Sequence, residues 1–335
     1  MNYLGKNVLV TGADGFIGSW VTEALVKSGA NVTALAQYSG MDINGWLDDI
    51  PKDILSNVNV VRGDIRDPSF TRRLMKSQEI CMHLAALIAI PYSYHAPQSY
   101  VDVNITGTLN VLEAARSCEI SRVIHTSTSE VYGTAQEIPM NEKHPLHGQS
   151  PYSASKIGAD MMVEAYARSF DLPAVILRPF NTYGPRQSER ALISSVIRQV
   201  LDPDCSLINV GDLNPQRDFT FVKDTADAFL SVGLAGGLTY GVPYNGGTGR
   251  AVSIAETVDL IIKISGISKP LRRENDRLRP AKSEVLALLS DNSLLKSSTG
   301  WSPQTSLEEG IERTIEWWRR KMNSGQIRTN ADFIV

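Results

Sequence analysis

The feature that most restricts how this chain folds is a set of three glycines placed just after its first apolar stretch. Asn7–Thr11 (NVLVT) is too short for a buried helix and reads as a strand. It runs straight into Thr11-Gly12-Ala13-Asp14-Gly15-Phe16-Ile17-Gly18, a GxxGxxG spacing, after which a helical period of apolar residues continues to Lys27. A lone glycine-rich loop says little, but strand, glycine turn and helix in this order is the arrangement that grips a pyrophosphate. The first glycine permits a tight turn, the second lets backbone N–H groups approach phosphate oxygens, and the third lets the helix pack closely on the sheet. Gly12, Gly15, Phe16, Ile17 and Gly18 are therefore candidate dinucleotide contacts.

The first half keeps this rhythm. Further strands are predicted at 31–36, 58–62, 80–84, 122–127 and 174–178, with long amphipathic stretches between them, notably 99–118 and 151–169. Pro151 suits a first helical position. Such alternation predicts an α/β fold, a Rossmann-type doubly wound parallel sheet. Past Arg178 the chain becomes richer in Gly, Pro and basic residues, with helices predicted at 189–201, Val222–Leu234, Ile254–Ser265 and Leu307–Asn323. The expected division is a Rossmann domain over 1–178 carrying the catalytic residues, a smaller interleaved lobe over 179–325, and a frayed tail over 326–335.

Composition excludes several classes. With 335 residues, 42% of them hydrophobic, the chain has ample material for a core and is not disordered. A net charge of −3 from 33 basic and 36 acidic residues gives no global pull toward nucleic acid or an anionic membrane. Cys81, Cys118 and Cys205 are scattered and odd in number, unlike a disulfide framework or a metal site. Gly and Asp interrupt the first apolar stretch too early for a signal peptide, and no apolar run approaches the roughly 18 residues of a membrane span. A cytoplasmic enzyme without a metal is the expectation.

The acidic residue that commonly grips a ribose about 20 positions after such a turn is missing, since the second strand ends Ala34-Leu35-Ala36-Gln37-Tyr38. No Arg or Lys stands there to take a 2′-phosphate, which favours NAD over NADP. Asp64 and Ile65 are candidates for adenine contact, and Leu84, Ala85 and Ala86 for the segment beneath the ribose.

Tyr152-Ser-Ala-Ser-Lys156 places a phenol and an ammonium four residues apart on one helix face. A tyrosine of ordinary pKa near 10 is a poor base, but an adjacent cation and a positively charged nicotinamide favour its phenolate. The spacing is short enough to arise by chance. Upstream, however, His125-Thr-Ser-Thr-Ser-Glu-Val-Tyr-Gly133 closes a strand at the edge where doubly wound folds bind ligands.

TGADGFIG, STSEVYG and YSASK together resemble the extended short-chain dehydrogenase/reductases, in their nucleotide-sugar 4,6-dehydratase branch. The likeness continues through Asn104 (VNITGTLNVL), 178–187 (RPFNTYGPRQ), 217–224 (RDFTFVKD) and 277–285 (RLRPAKSEV). Residues 83–97 (HLAALIAIPYSYHAP) are similar to a stretch of bacterial N-acetylhexosamine 4,6-dehydratases of nonulosonic (legionaminic-type) acid biosynthesis. The resemblance implies that Thr128 holds the sugar C4 oxygen, Tyr152 takes the C4 hydroxyl proton, Lys156 holds the nicotinamide ribose and tunes Tyr152, and Glu130 takes the C5 proton. Hydride would leave C4 for a bound NAD and return to C6 after water departs. Asn181, Arg186, Arg217 and Arg279 match positions that hold the sugar and its diphosphate. The family also implies a homodimer through a four-helix bundle built from 99–118 and 151–169.

One position departs from the pattern. Many such dehydratases read Thr-Asp-Glu, the Asp protonating the departing C6 hydroxyl, whereas this chain has Thr128-Ser129-Glu130. A serine is a poor general acid. Either Glu130 serves both at C5 and at C6, or the substrate is already unsaturated at C5–C6 and is isomerised by C4 oxidation, return of hydride to C6 and C5 protonation. A noncatalytic dinucleotide sensor is a third reading, which an intact Tyr152 and Lys156 disfavour. The basic group Arg272, Arg273, Arg277 and Arg279 fits a sugar-nucleotide diphosphate better than nucleic acid, and Trp317-Trp318 reads as packing. UDP and GDP both remain open as the nucleotide.

Overall fold

The computed structural model describes residues 1–274 and 285–326. The 326–335 tail, apart from its first residue, lies outside the described residues. Seven strands form one parallel sheet: β1 (Asn7–Thr11), β2 (Asn31–Gln37), β3 (Val58–Gly63), β4 (Ile80–His83), β5 (Arg122–Thr126), β6 (Ala174–Pro179) and β10 (Pro243–Gly246). Their order is β10-β6-β5-β4-β1-β2-β3, so the winding reverses between β1 and β4. That reversal opens a crevice at the carboxyl ends of the strands.

Both sheet faces are covered, which is why its strands read as continuous apolar runs. Val8 and Val10 of β1 point into one core, with Val21 and Leu25 of α1 (Phe16–Lys27) and Phe229 of α9 (Val222–Leu234). Leu9, between them, enters the opposite core. There it joins Met75 of α3 (Pro68–Met75), Leu112 of α6 (Gly107–Ser117) and Val163 of α7 (Pro151–Phe170). α2 (Lys52–Leu55), α4 (Ile90–His95) and α5 (Pro97–Tyr100) are short connecting turns.

The remaining elements are β7 (Asn181–Tyr183), α8 (Leu192–Leu201), β8 (Ile208–Val210), β9 (Gln216–Phe221), β11 (Ala251–Ser253), α10 (Ile254–Ser265), β12 (Leu271–Arg273), α11 (Ser293–Thr299) and α12 (Leu307–Asn323). A separate apolar cluster joins α8, α10 and α12 through Val196, Val258, Ile261, Ile311, Ile315 and Trp318. β7 pairs parallel and β11 antiparallel with β9, while β12 lies along β8. Between these pieces the chain re-enters the first sheet, where β10 pairs with β6 and α9 packs beside α1.

Two helices differ from the sequence expectation. The stretch 99–118 is α5, a wide turn over Val101–Thr106 with i→i+5 hydrogen bonding, and then α6. Asn104 sits in that wide turn, accepting from Leu87 N (2.8 Å) and donating to Leu87 O (2.9 Å) and Ser155 Oγ (2.9 Å). Such local widening marks places where a side chain has a task outside its own helix. α8 starts at Leu192 rather than at 189, because residues 188–191 close a tight turn through Ala191 N to Ser188 O (2.9 Å).

Candidate active site

The glycine turn crosses the switch point. Gly12 has φ +67°, and a Cβ there would lie 2.6 Å from Ala85 N, so only glycine fits between the turn and the segment after β4. Gly18 presses against the Gly12 carbonyl in the same way. The N-terminus of α1 carries no side-chain cap and no acidic residue in its first turn. Its amides and the positive end of its dipole thus meet no competing anion, a donor set suited to a dinucleotide pyrophosphate. Asp14 faces away from that role, accepting from Gln37 N (3.1 Å) at the end of β2.

Leu84, Ala85 and Ala86 follow β4 and are tied to β1: Leu84 N donates to Thr11 O (3.1 Å) and Ala85 N to Thr11 Oγ1 (3.2 Å). Thr11 Oγ1 also meets His83 Nδ1 (2.8 Å), whose Nε2 meets Thr108 Oγ1 (3.0 Å). Ile65 is buried against Gly107. Asp64 directly follows β3, its carboxyl held below the usual range by Arg66 at 2.5 Å.

The reacting groups come from two elements. Thr128 caps a tight 3-10 turn over Ser129–Tyr132, its Oγ1 accepting from Glu130 N (3.2 Å). Tyr152 and Lys156 occupy successive turns at the start of α7, which is fixed by Pro151 and by a reciprocal Ser150–Ser153 cap. The Tyr152 hydroxyl stands within reach of the Thr128 side chain. Burial pushes its pKa well above that of an ordinary tyrosine; the Thr128 side chain opposes this and the charge of Glu130 adds to it. Lys156 donates to Thr126 O (2.6 Å), and burial pushes its pKa down to about 8 against the attraction of Asp160. Tyr100 closes the apolar wall, edge-on to Tyr152 at 6.3 Å and donating to Ala89 O (2.5 Å).

A buried polar cluster that the sequence reading did not single out lies beneath these groups. Asp160 Oδ2 accepts from Ser127 Oγ (2.7 Å) and from Arg178 Nη2 (2.9 Å) and Nε (3.2 Å), and Oδ1 lies 3.3 Å from His125 Nε2. Arg178 Nη1 donates to Tyr132 OH (2.9 Å), which donates to Asn245 Oδ1 (2.7 Å). The signal was present as an arginine inside the apolar strand AVILRP and an acid one turn past Lys156, two charges that burial obliges to pair.

The elements after β6 contribute unevenly. Asn181, on β7, has a buried Oδ1 with no hydrogen-bond partner among the described residues, an acceptor suited to a ligand donor. Arg217 is buried on β9 with Nη1 donating to Gln216 O (3.0 Å). Arg186, expected at the diphosphate, is held by the protein itself on two sides, while its Nη1 has no hydrogen-bond partner among the described residues. Its guanidinium is buried, bonded to Glu23 (2.8 Å) and Asp49 (3.3 Å) and stacked 4.8 Å from the Trp20 ring. It ties the loop after β7 to α1 and to Asp49, which Trp317 and Lys321 of α12 also join. Arg272 and Arg273 approach Glu274 (2.9 Å) and Asp212 (4.0 Å), while Arg277 and Arg279 lie outside the described residues.

With this geometry in view, comparison with known proteins decides the family. Residues 9–314 match the family model of GDP-mannose 4,6 dehydratase. The chain belongs to that family. A UDP-glucose 4-epimerase of Mycolicibacterium smegmatis is 34% identical over 319 residues, spanning 93% of this chain and 98% of its own. Among solved structures, the dTDP-glucose 4,6-dehydratase DesIV of Streptomyces venezuelae, determined with NAD bound, is 29% identical with a TM-score of 0.85, covering 95% of this chain and 98% of that one. A UDP-N-acetylglucosamine 4-epimerase of Methanobrevibacter ruminantium is 29% identical with a TM-score of 0.85, covering 95% and 100%. The protein is thus an enzyme of the nucleotide-sugar 4,6-dehydratase and epimerase family, on the extended short-chain dehydrogenase/reductase fold. No helix among the described residues is long and apolar enough to cross a membrane.

Proposed function

We propose that the protein is an NAD-dependent 4,6-dehydratase of a UDP- or GDP-linked N-acetylhexosamine, giving the 4-keto-6-deoxy sugar for nonulosonic-type acid synthesis. The observation that carries this reading is the placement of Glu130 on the capped turn beside the Thr128–Tyr152 pair, close enough for its charge to bear on the Tyr152 hydroxyl. A C4 epimerase needs a base at C4 and nothing acidic there besides; a dehydratase needs a second base for C5.

The glycine turn, through Gly12, Gly15 and the first amides of α1, would hold NAD, which would supply a hydride acceptor and donor there. The protein supplies the rest. Thr128 donates its one hydroxyl hydrogen to the C4 oxygen, and Tyr152 takes the C4 hydroxyl proton. Burial makes Tyr152 a weak acid, so its deprotonation depends on Lys156 and on a further positive charge entering the site. Lys156 carries that charge at neutral pH, since its pKa of about 8 leaves it mostly protonated. Once C4 is a carbonyl, the C5 proton is acidic and Glu130 removes it; Glu130, then protonated, delivers the proton to the departing C6 hydroxyl, and after hydride reaches C6 the C5 carbon takes a proton from water while Tyr152 returns the C4 proton to solvent. Asn181 and Arg217 hold sugar and diphosphate from the second lobe.

Ser129 favours a second reading. It is buried between Thr128 and Glu130, where an acid for the C6 hydroxyl would stand. On a substrate already unsaturated at C5–C6, the same Tyr152, Lys156, Thr128 and Glu130 would isomerise without expelling water. Mass spectrometry of UDP- and GDP-N-acetylglucosamine incubated with purified protein and no added cofactor separates the two. Loss of one water supports dehydration. Unchanged masses for both, with conversion of the unsaturated sugar at constant mass, support isomerisation. The exposed apolar side chains Met161 and Phe170 of α7 favour a homodimer through α6 and α7, which a monomeric mass by light scattering would refute.

A further inference from the structure

We infer that the Asp160–Arg178 ion pair is a positioning device that grips the turn bearing Thr128 and Glu130 from both of its ends. The inference rests on the reading of Thr128 and Glu130 as acting groups. The two residues project from α7 and β6, and each reaches one flank of the turn. On the N-terminal flank, Ser127 Oγ donates to Asp160 Oδ2 (2.7 Å) and Ser127 N donates to Leu177 O (2.7 Å). On the C-terminal flank, Arg178 Nη1 donates to Tyr132 OH (2.9 Å), with the guanidinium 4.9 Å from the Tyr132 ring centroid. The pair is closed by two bonds from Arg178 to a single carboxylate oxygen, and Asp160 is fully buried.

The arrangement has a chemical consequence. The turn is only four residues long, held within itself by the Thr128 cap, by Val131 N to Thr128 O (3.4 Å) and by Gly133 N to Glu130 O (3.3 Å); from outside, His147 N donates to Val131 O (2.8 Å) at its middle and the ion pair holds its two ends. Asp160 stands one turn beyond Lys156 on the same helix, so a single group fixes both the helix carrying Tyr152 and Lys156 and the turn carrying their partners. Buried, charge-assisted contacts of this kind are strong and directional enough to hold reacting groups in a fixed geometry. The second task of Asp160 is electrostatic. Lys156 is faced by Asp160 from α7, by His83 from β4 and by His125 from β5, with Arg178 of β6 behind Asp160. Burial keeps both imidazoles neutral in the neutral pH range, which leaves Asp160 as the anion supporting the ammonium.

The test uses three variants of the full-length holoenzyme. Ser127→Ala and Tyr132→Phe each release one flank and leave the ion pair intact; Asp160→Asn removes the charge. For the first two, kcat per bound NAD should fall about tenfold, the worth of one buried hydrogen bond, with KM for the nucleotide sugar within twofold. Hydrogen exchange should quicken in the amides of residues 129–132 while α7 stays protected. Asp160→Asn should also move the alkaline limb of the kcat profile to lower pH, which a purely structural loss would not do. The inference is overturned if Ser127→Ala and Tyr132→Phe leave exchange in the turn and kcat per NAD unchanged. It is equally overturned if a folded Asp160→Asn keeps the wild-type limb. If the wild type converts no nucleotide sugar while the variants loosen the turn, the dehydratase reading fails and the grip stands.

Discussion

His125 makes the protein acid-sensitive through one identifiable proton. Its ring is fully buried below Lys156, with Nδ1 lacking any hydrogen-bond partner among the described residues. Burial first, and then the charge of Lys156, lower its pKa from the ordinary 6.5 to about 4, although Asp160 pulls the other way. The sign follows from linkage. Between pH 6.5 and 4 the unfolded chain binds a proton at this position and the folded chain does not, so stability falls as pH falls through that window. One extra proton taken up on unfolding corresponds to about 1.4 kcal/mol per pH unit, or about 3 kcal/mol across the window. His125→Gln keeps a similar volume and cannot titrate. Urea unfolding at half-unit steps from pH 7 to 4.5 should give a wild-type stability that drops more steeply than that of His125→Gln, by roughly one proton's slope. Comparing slopes removes the constant cost of the substitution and the shared contribution of His83. Parallel slopes for the two proteins would refute the argument.

Other perturbations separate catalysis from architecture. Tyr152→Phe should lower kcat by about 10²–10⁴-fold with the melting temperature nearly unchanged, checked by turnover and calorimetry. Gly18→Ala drives a Cβ into the Gly12 carbonyl, so the purified protein should lose bound NAD, read from its absorbance. Arg186→Met breaks a buried pair with Glu23 and should destabilise by about 3–5 kcal/mol in denaturant titration. A raised KM for the nucleotide sugar with intact stability would instead make Arg186 a diphosphate ligand. Ser129→Asp should speed water loss from the saturated sugar if a missing C6 acid limits the rate; an unchanged rate assigns that proton to Glu130.

Much of this molecule was legible locally. The strands of the large sheet declare themselves because both faces are buried, so NVLVT and AVILRP are apolar at every position that meets a core. α10 begins where predicted because Ser253 and Glu256 cap it reciprocally, and α12 because Ser306 accepts from Glu309 N. What escaped local reading depended on distant partners. The wide turn before α6 arises from Asn104 reaching Leu87 and Ser155, and nothing in its own window distinguishes it from an ordinary helix. The pairing of Arg186 with Glu23 and Asp49, well over a hundred residues away in sequence, is likewise invisible in its own window. The same holds for Asp160, whose role appears only when β6 and the 3-10 turn are brought onto α7.

The most direct test of the dehydratase account follows one hydrogen. UDP- or GDP-N-acetylglucosamine labelled with deuterium at C4, incubated with the holoenzyme, should lose one water and carry the label at C6 of the product. Label that remains at C4 of an epimerised or unreacted sugar, or that escapes to solvent, would contradict it.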